Sequence, residues 1–364
     1  MRLSSTLSIY IGRQFLLWFA IVFAALVSII FLFDMVELLR RAASRPEASF
    51  GIIVQMAVLK LPLMAQKLLP FAVLFGGMFA FWRLTKSQEL IVARAAGISA
   101  WQFLFPALVA AGLIGACAVT VFNPIGSAMA SRFEQLEGRL LRGQSSLLAV
   151  SSGGVWLRQA DSSGQAVIHA DRVVPDSVEL RDVIFFLYKA RDNFDGRIDA
   201  MGATLQPGKW VLEDAWISRP GRRAEFQARF EVKTNLTADG IQDSFAPPET
   251  MSFWELPGFI QRLESAGFTG MRHRLHWHGL LSSPLLLAAM LLFAAAFSMR
   301  FTRRGGVLPM VMSGITVGFL LYFLSDLVFA LGLAGNLPVI LAAWTPAGVS
   351  TLMGVAVLFH LEDG

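Results

Sequence analysis

Long apolar runs dominate the hydrophobic pattern of this chain. A helix needs about 20 apolar residues to cross the roughly 30 Å hydrocarbon layer of a membrane. Runs that meet or approach this length occupy residues 15–33, 61–82, 101–122, 279–299, 307–333 and 337–359. The pattern therefore predicts three membrane spans, a long polar insertion and three further spans.

The insertion between the third and fourth runs has the pattern of β structure. Residues 225–233 alternate between polar and apolar side chains, which is typical of a half-buried strand. Shorter strand candidates lie at 155–157, 166–170, 183–188, 198–205 and 210–217, separated by turn-forming sequences. Ser252 and Glu255 form a capping-box pattern that predicts a helix ending near Gly267. We predict an inserted all-β domain, a sandwich or jellyroll, followed by this helix.

The composition supports a membrane protein and excludes two other classes. Hydrophobic residues make up 55% of the 364 residues, charged residues 16%, and the mean hydropathy is +0.58. Soluble domains carry about 25% charged residues, and disordered chains are poor in hydrophobic residues. A single cysteine, Cys117, excludes a disulfide framework. The first apolar run is longer than a signal-peptide core and lacks a clear cleavage site, so we expect it to remain as a span.

The basic residues of the short loops predict the orientation of the spans. Loops rich in Lys and Arg face the cytoplasm. Such residues lie before the first span, between the second and third, and between the fourth and fifth: Arg2, Arg13, Arg83, Lys86, Arg94, Arg300, Arg303 and Arg304. All three places fall on one side of a six-span protein. We therefore expect cytoplasmic termini and a β domain on the opposite, outer side of the membrane.

The loop at residues 87–99, between the second and third spans, is the first candidate site. Leu90, Ala93 and Ala96 share one helical face, Glu89 and Arg94 point elsewhere, and Gly97 can end the helix. A short helix in this place is suited to docking a soluble partner. An interfacial helix without a partner has the same pattern, and composition alone leaves both interpretations open.

The far end of the first span is the second candidate site. It carries Asp34, Glu37, Arg40, Arg41 and Arg45, and we place Lys67 of the second span near the same level. Guanidinium groups bind phosphate in a bidentate manner, so this cluster suits an anionic lipid headgroup. Snorkelling and local pairing with Glu37 are the alternative.

Other patterns offer little chemistry. Asp326 lies within the fifth span, where an acid usually faces a cavity or a partner. His273, His276 and His278 cluster before the fourth span but lack an accompanying cysteine or acid. Residues 202–209 have the wrong spacing for a phosphate-binding loop. We predict neither a cofactor nor a metal, and neither a nucleotide-binding motif nor a catalytic constellation is visible.

The order and spacing of these features resemble the YjgP/YjgQ family of lipopolysaccharide export permeases, and most closely its LptG-type members. The resemblance covers nearly the full length. It is carried by residues 10–15, 33–41, 69–71, 87–99, 155–157 and 322–326. It implies a membrane α-helical fold of six transmembrane helices with an inserted periplasmic jellyroll-like domain. We expect boundaries at 1–122, 123–277 and 278–364, with a coupling helix at about 87–99.

The resemblance also implies a function and a set of partners. We expect a transport subunit without its own nucleotide-binding motif rather than an enzyme. Such a permease pairs with an LptF-like permease in the bacterial inner membrane, above an LptB-like ATPase dimer. An LptC-like single-span protein receives lipopolysaccharide extracted from the membrane. Glu89, Arg94 and Gly97 match the family's ATPase-coupling segment. Arg40 and Arg41 match basic positions for lipid phosphates, and Lys67 is assigned to compensate for a further basic residue that this chain lacks near Phe33 and Asp34.

Four alternatives remain at this point. The chain could be the LptF-type sister subunit, although the LptG pattern fits better. A secondary transporter would require discontinuous helices and several ionisable groups at the midplane. A membrane-embedded lipid enzyme would require a catalytic constellation. A mechanical ABC protein that moves no lipid through its spans usually has four spans in each chain.

Overall fold

A computed structural model describes residues 5–43, 49–95, 97–138, 140, 148–151, 154–161, 164–174, 179–189, 193–234, 236, 246–265, 269–301 and 307–363. The chain divides into two compact units. The helical unit takes in the described residues of 1–141, 249–254 and 274–364, and the β unit takes in those of 142–248 and 255–273. The predicted stop at Gly267 lies outside the described residues.

Five helical elements precede the β unit. They are α1 (Ser5–Ala42), α2 (Phe50–Lys86), α3 (Glu89–Ala95), α4 (Ala100–Cys117) and α5 (Asn123–Glu137), with a π-helical turn at Ala118–Phe122 between α4 and α5. The helices after the strands are α6 (Leu256–Ser265), α7 (Met271–Phe301), α8 (Val307–Leu333) and α9 (Val339–Asp363).

The predicted membrane spans are confirmed as helices. Among the described residues, six helical stretches are long and apolar enough to cross a membrane. They are Thr6–Ala42, Phe50–Lys86, Ala100–Glu137, Met271–Ser298, Val307–Leu333 and Val339–His360. Several extend well beyond the apolar runs, because charged and polar residues continue the helix at the span ends. The chain is therefore a multi-pass membrane protein with an inserted all-β domain.

Close helix packing holds the helical unit together. A Cβ atom added to Gly76 of α2 would lie 2.7 Å from the Cα atom of Phe19 in α1, so the two helices approach to backbone contact. Ser298 of α7 donates a hydrogen bond of 3.0 Å to the carbonyl of Met78. Small residues and interhelical hydrogen bonds are the usual basis of helix association in membranes. These contacts fix α1, α2 and α7 as one packed group.

The π-helical turn at Ala118–Phe122 redirects the third span into α5. A π-turn disturbs the regular helical hydrogen bonds and leaves groups free for other partners. The indole of Trp254 donates to the Thr120 carbonyl at 3.3 Å, and the Phe253 amide donates to Asn123 Oδ1 at 2.8 Å. The chain returning from the strands thus fastens the junction from which α5 extends.

The β unit contains one antiparallel sheet whose strands follow chain order from β1 to β7. The strands are β1 (Leu148–Ser151), β2 (Gly154–Asp161), β3 (Gly164–Val174), β4 (Glu179–Lys189), β5 (Asn193–Gln206), β6 (Lys209–Ser218) and β7 (Glu225–Lys233). Six of them, β2 to β7, contain the predicted strand segments. Strand β1 was not predicted, because four residues are too few to show an alternation.

One face of the sheet carries the apolar core of this unit. Trp210 is fully buried and meets Phe185 edge-on, with ring centroids 6.2 Å apart. Leu263 of α6 joins the same core, which confirms the predicted helix; it begins at Leu256, directly after the capping-box pattern.

Two aspartates interrupt the alternation of the strands. Asp182 and Asp214 have left-handed φ angles of 53° and 52°. A shift of one residue moves a side chain to the other face of a sheet. As a result Leu212 and Ala215, three positions apart, are both buried. The core face therefore continues through a bend that a strict two-residue period does not predict.

Candidate functional site

Helix α3 lies in the connection between α2 and α4 and has one buried and one exposed side. Leu90 and Ala93 are buried within the main core of the helical unit. Glu89, Val92 and Arg94 are exposed. The predicted division of this segment into two faces is thus confirmed for these residues. A seven-residue helix is too short to be stable alone, so its position depends on this buried contact.

Defined backbone geometry fixes the C-terminal end of α3 and the start of α4. Gly97 has a φ of +83°, its amide donates to Arg94 O at 2.9 Å, and the Ile98 amide donates to Ala93 O at 3.1 Å. This is the Schellman arrangement that ends helices at glycine. Ser99 and Gln102 then form a reciprocal capping box that begins α4. The predicted residue Gly97 thus sets the path of the chain from α3 to the third span.

The carboxylate of Glu89 is held by a hydroxyl group of α1 and by one of the turn between α2 and α3. Ser87 Oγ donates to Glu89 Oε1 at 2.8 Å, and Tyr10 Oη of α1 donates to the same oxygen at 3.3 Å. Gln88 adopts a left-handed φ of 62° between them, a conformation uncommon outside glycine. Among the described residues, no hydrogen bond reaches the second oxygen, Oε2. The carboxylate is therefore oriented through one oxygen and presents the other.

Tyr10 is a site residue that sequence reasoning missed. It is separated from Glu89 by 79 positions, and its neighbours form an ordinary helix start. No local pattern signals this contact. The structure reveals it because α1 packs against α2 and brings the Tyr10 hydroxyl close to the start of α3.

The first-span residues Asp34, Glu37, Arg40 and Arg41 lie in a compact group with Lys60 of α2 and Glu137 of α5, here called the span-end charge cluster. Arg40 Nε and Nη2 each donate to Glu37 at 3.0 Å, in a bidentate pair. Arg41 Nε donates to Glu37 at 3.0 Å and Arg41 Nη1 to Glu137 at 3.1 Å. Arg41 thereby ties α1 to α5.

The two arginines differ in exposure. The Arg40 side chain is 76% exposed, whereas Glu137, the partner of Arg41, is only 5% exposed. An exposed ion pair contributes little to stability, whereas Arg41 links α1 to a buried carboxylate of α5. Arg40 is therefore the residue better able to change partners, and Arg41 has the larger structural role.

Lys60 is the second site residue that sequence reasoning missed. Its ammonium pairs with Asp34 of α1 and lies 5.5 Å from the ring centroid of Phe133 of α5. Both charged side chains are largely buried. An acid on the first span and a base on the second could have indicated an ion pair between them. Whether the two side chains lie at the same height depends on how α1 and α2 pack.

The structure does not bring Lys67 to the arginines. Lys67 follows Lys60 by seven residues on the same helix, a rise of about 10 Å. It is exposed and makes no ion pair within the described part of the chain. Lys60, and not Lys67, is the α2 base that joins the cluster. Arg45 lies outside the described residues.

The formal charge of the span-end charge cluster is balanced. Asp34, Glu37 and Glu137 carry three negative charges, and Arg40, Arg41 and Lys60 carry three positive charges. The sequence left two interpretations of these arginines open, binding of a lipid headgroup or local pairing with Glu37, and the pairing with Glu37 is present. An incoming anion would therefore compete with internal carboxylates for these bases.

The remaining candidates are not gathered into a site. His273 makes a 3.1 Å contact through Nε2 with the Ala246 carbonyl and packs against Phe259. Asp326 is exposed on α8. Among the described residues no group of three His, Cys, Asp or Glu side chains is arranged to hold a metal.

Comparison with known proteins shows what these features belong to. The model of the family described as "Lipopolysaccharide export system permease LptF/LptG" matches residues 9–360. This chain belongs to the LptF/LptG family. It is 25% identical over 361 residues to the lipopolysaccharide export system permease protein LptG of Escherichia coli strain K12, with 96% of this chain and 97% of the relative covered. It is 23% identical over 357 residues to the LptG protein of Haemophilus influenzae, with 94% and 95% covered.

Family membership gives the two sites a common setting. The LptF/LptG family consists of permeases of the lipopolysaccharide export system. The match runs from α1 to α9, so it includes the α3 segment and the span-end charge cluster as well as the inserted sheet. The α3 connection and the charge cluster therefore lie within a transport subunit.

Proposed function

We propose that this chain is the LptG-type permease of an ABC transporter that extracts lipopolysaccharide from the bacterial inner membrane and drives its export toward the outer membrane. Both curated relatives described above are named LptG, which favours this subunit type over LptF. The observation that carries the proposal is the oriented, outward-facing carboxylate of Glu89 on a helix docked between two spans. ATP hydrolysis is assigned to a partner chain.

The proposed topology follows the basic loops. The described basic residues Arg83, Lys86 and Arg94 lie around α3, in the connection between α2 and α4. This side faces the cytoplasm, together with both termini, and the β unit faces the periplasm. The three segments 1–122, 123–277 and 278–364 then correspond to spans, periplasmic insertion and spans.

Coupling to an ATPase dimer would act through α3. Glu89 Oε2 accepts from a cationic side chain of the LptB-like partner, and Arg94, which is also exposed, adds a second charged contact. Leu90 and Ala93 anchor the helix in the core, while the Gly97 turn and the Ser99 capping box connect it tightly to α4. Closure of the ATPase would therefore displace the span and not merely the loop.

Lipid binding would act through the span-end charge cluster. Two nitrogens of Arg40 contact Glu37, and its remaining donors are available to a phosphate. A phosphorylated headgroup would displace Glu37, since bidentate Arg–phosphate pairs are strong. The LptF-like permease supplies the other wall of the lipid cavity, and an LptC-like protein receives the lipid. Lys67, two turns from Lys60, is retained as a further basic position facing the same lipid.

Co-purification from membranes in mild detergent tests the proposal. We expect a tagged full-length chain to retain a soluble ATPase and a second six-span protein, and to carry bound lipopolysaccharide. Identification of both chains by mass spectrometry and of the lipid by its phosphorylated acyl disaccharide would meet this expectation. Recovery of the chain without any ATPase would contradict it.

Tyr10→Phe tests whether the hydroxyl of α1 orients Glu89. The variant keeps the aromatic ring but removes one of the two donors to Oε1, so we expect roughly two- to twelvefold weaker ATPase association, the usual range for one hydrogen bond. Ser87→Ala should have a similar effect, and the double variant a larger one. The association is measured by titrating ATPase onto the purified permease complex. If all three variants bound the ATPase with wild-type affinity, the hydrogen bonds to Glu89 would have no role in the association.

A further inference from the structure

The tip of the β6–β7 hairpin carries a concentration of arginines that the proposed function does not use. Arg219 and Arg222 are the first and last residues of a four-residue turn closed by a 3.1 Å hydrogen bond from the Arg222 amide to the Arg219 carbonyl. Pro220 and Gly221 occupy its centre, with a φ of +75° at the glycine. Proline followed by a left-handed glycine is typical of a defined turn. Arg223 follows at once, so three guanidinium groups are displayed on a short, well-shaped tip.

These arginines differ from four of the basic side chains along the strands, which are held in ion pairs. Arg181, Lys189, Arg197 and Lys209 each form a salt bridge with a carboxylate on the same strand or a neighbouring strand. Arg219, Arg222 and Arg223 make no ion pair with the part of the chain that the structure describes, although all three are exposed. The tip is therefore a local excess of positive charge on a sheet whose strands largely balance theirs.

The three arginines line one pocket at the end of the sheet. Ile217 of β6 and Glu225, Gln227 and Phe230 of β7 complete its walls. With Glu225 ionised, the lining carries a net formal charge of +2, from three bases and one acid. Such a concave surface suits a compact, doubly charged anion better than a carboxylate, because planar guanidinium groups donate in pairs to phosphate oxygens.

The apolar part of the pocket points to a lipid-borne phosphate. Ile217 belongs to the buried core face of the sheet, and Phe230 packs against the same core. The pocket therefore lies where apolar surface gives way to arginine. A phosphorylated amphiphile has the same boundary between its headgroup and its acyl chains.

We propose that this arginine pocket is a second binding site, specific for a phosphate group on the headgroup of the exported lipid. The inference rests on the proposed function, which supplies the phosphorylated glycolipid. The pocket would hold the headgroup phosphate after the lipid has left the spans, and the span-end charge cluster would hold it before.

Site-directed photocrosslinking on the full-length chain in detergent micelles tests this site. A photoreactive phenylalanine derivative replaces Gln227, which lines the pocket, or Phe226, which packs against Trp216 and is not part of the pocket lining. The probes are purified lipopolysaccharide and the same lipid with its phosphates removed. We expect lipopolysaccharide to crosslink at position 227 at least fivefold more than at position 226, and the dephosphorylated lipid to crosslink at position 227 at least fivefold less.

Charge variants give the matched comparison. Arg222→Gln with Arg223→Gln should lower crosslinking at position 227 at least fivefold. Lys209→Gln with Lys233→Gln removes the same charge at the opposite end of the same strand pair, where these two residues face each other, and should leave crosslinking unchanged. An equal loss in both double variants would show nonspecific attraction and overturn the proposal.

Two further arms separate the possible outcomes. Inorganic phosphate that protects the hairpin from arginine-specific modification, together with no lipid crosslink at position 227, would identify a site for the free ion and overturn the lipid assignment. A crosslinker at Val36 of α1, which is exposed beside the span-end charge cluster, reports on the proposed function itself. Lipid capture at position 36 without capture at 227 would defeat only the hairpin site; capture at neither position would defeat the proposed substrate as well.

Discussion

Replacing Glu89 with lysine should reduce association with the partner ATPase, and the ATP hydrolysis that depends on it, by at least about 30-fold. Reversal of a charge that meets an oppositely charged partner commonly has an effect of this size. Glu89 is suited to such a contact because Ser87 and Tyr10 hold one carboxylate oxygen and leave the other outward. A lysine would also lose both hydrogen bonds and place its ammonium near the basic residues of this loop.

Two control variants make the Glu89 result specific. Glu89→Gln keeps an oxygen acceptor for Ser87 and Tyr10 without the charge, and we expect an intermediate loss. Glu213→Lys introduces the same charge change at an exposed strand position of the β unit and should leave ATPase association intact. Association and hydrolysis are measured on the same purified complexes. Wild-type values for Glu89→Lys would eliminate α3 as the coupling element.

The sequence was most informative where one face of an element is buried. Leu90 and Ala93 lie at helical spacing and are buried as expected, so the burial of this helix face is recorded directly in the periodicity of neighbouring residues. The alternation along residues 225–233 predicted the strand β7 correctly, but of its apolar side chains only Phe230 and Val232 are partly buried, while Phe226 and Ala228 are exposed. The spans were equally clear, because a membrane requires a long apolar run whatever the tertiary structure.

Contacts between distant helices were not predictable in the same way. Lys60 and Lys67 are both isolated bases in an apolar helix, and only the packing of α1 on α2 determines which of them meets Asp34. The same packing determines that Tyr10 reaches Glu89. The left-handed conformations of Asp182 and Asp214 likewise depend on the bend of the whole sheet. Such features are set by tertiary register, which a single sequence does not record.

Substitutions of Arg40 and Glu37, which pair with each other in the span-end charge cluster, should have opposite effects on lipid binding. Arg40→Gln should lower lipopolysaccharide crosslinking at position 36 by about tenfold, because it removes an exposed bidentate phosphate donor. Glu37→Gln should raise it about two- to fivefold, because it removes the internal competitor for Arg40. If the arginines served only to pair with Glu37, both substitutions would leave lipid capture unchanged.

Substitutions of Arg41 and Lys67 should differ in their effects on lipid capture and on thermal stability. Arg41→Gln should lower both lipid capture and thermal stability, because it removes the hydrogen bonds from Arg41 to Glu37 of α1 and to the buried Glu137 of α5. Lys67→Gln should have a smaller effect on capture than Arg40→Gln and no effect on stability, because Lys67 lies two turns beyond Lys60 and outside the ion-paired group. Thermal unfolding of each variant, measured in the detergent used for crosslinking, separates lost binding from lost structure. A greater loss of capture for Lys67→Gln than for Arg40→Gln would place the phosphate deeper in the span, and the charge cluster would then be a structural brace between α1 and α5.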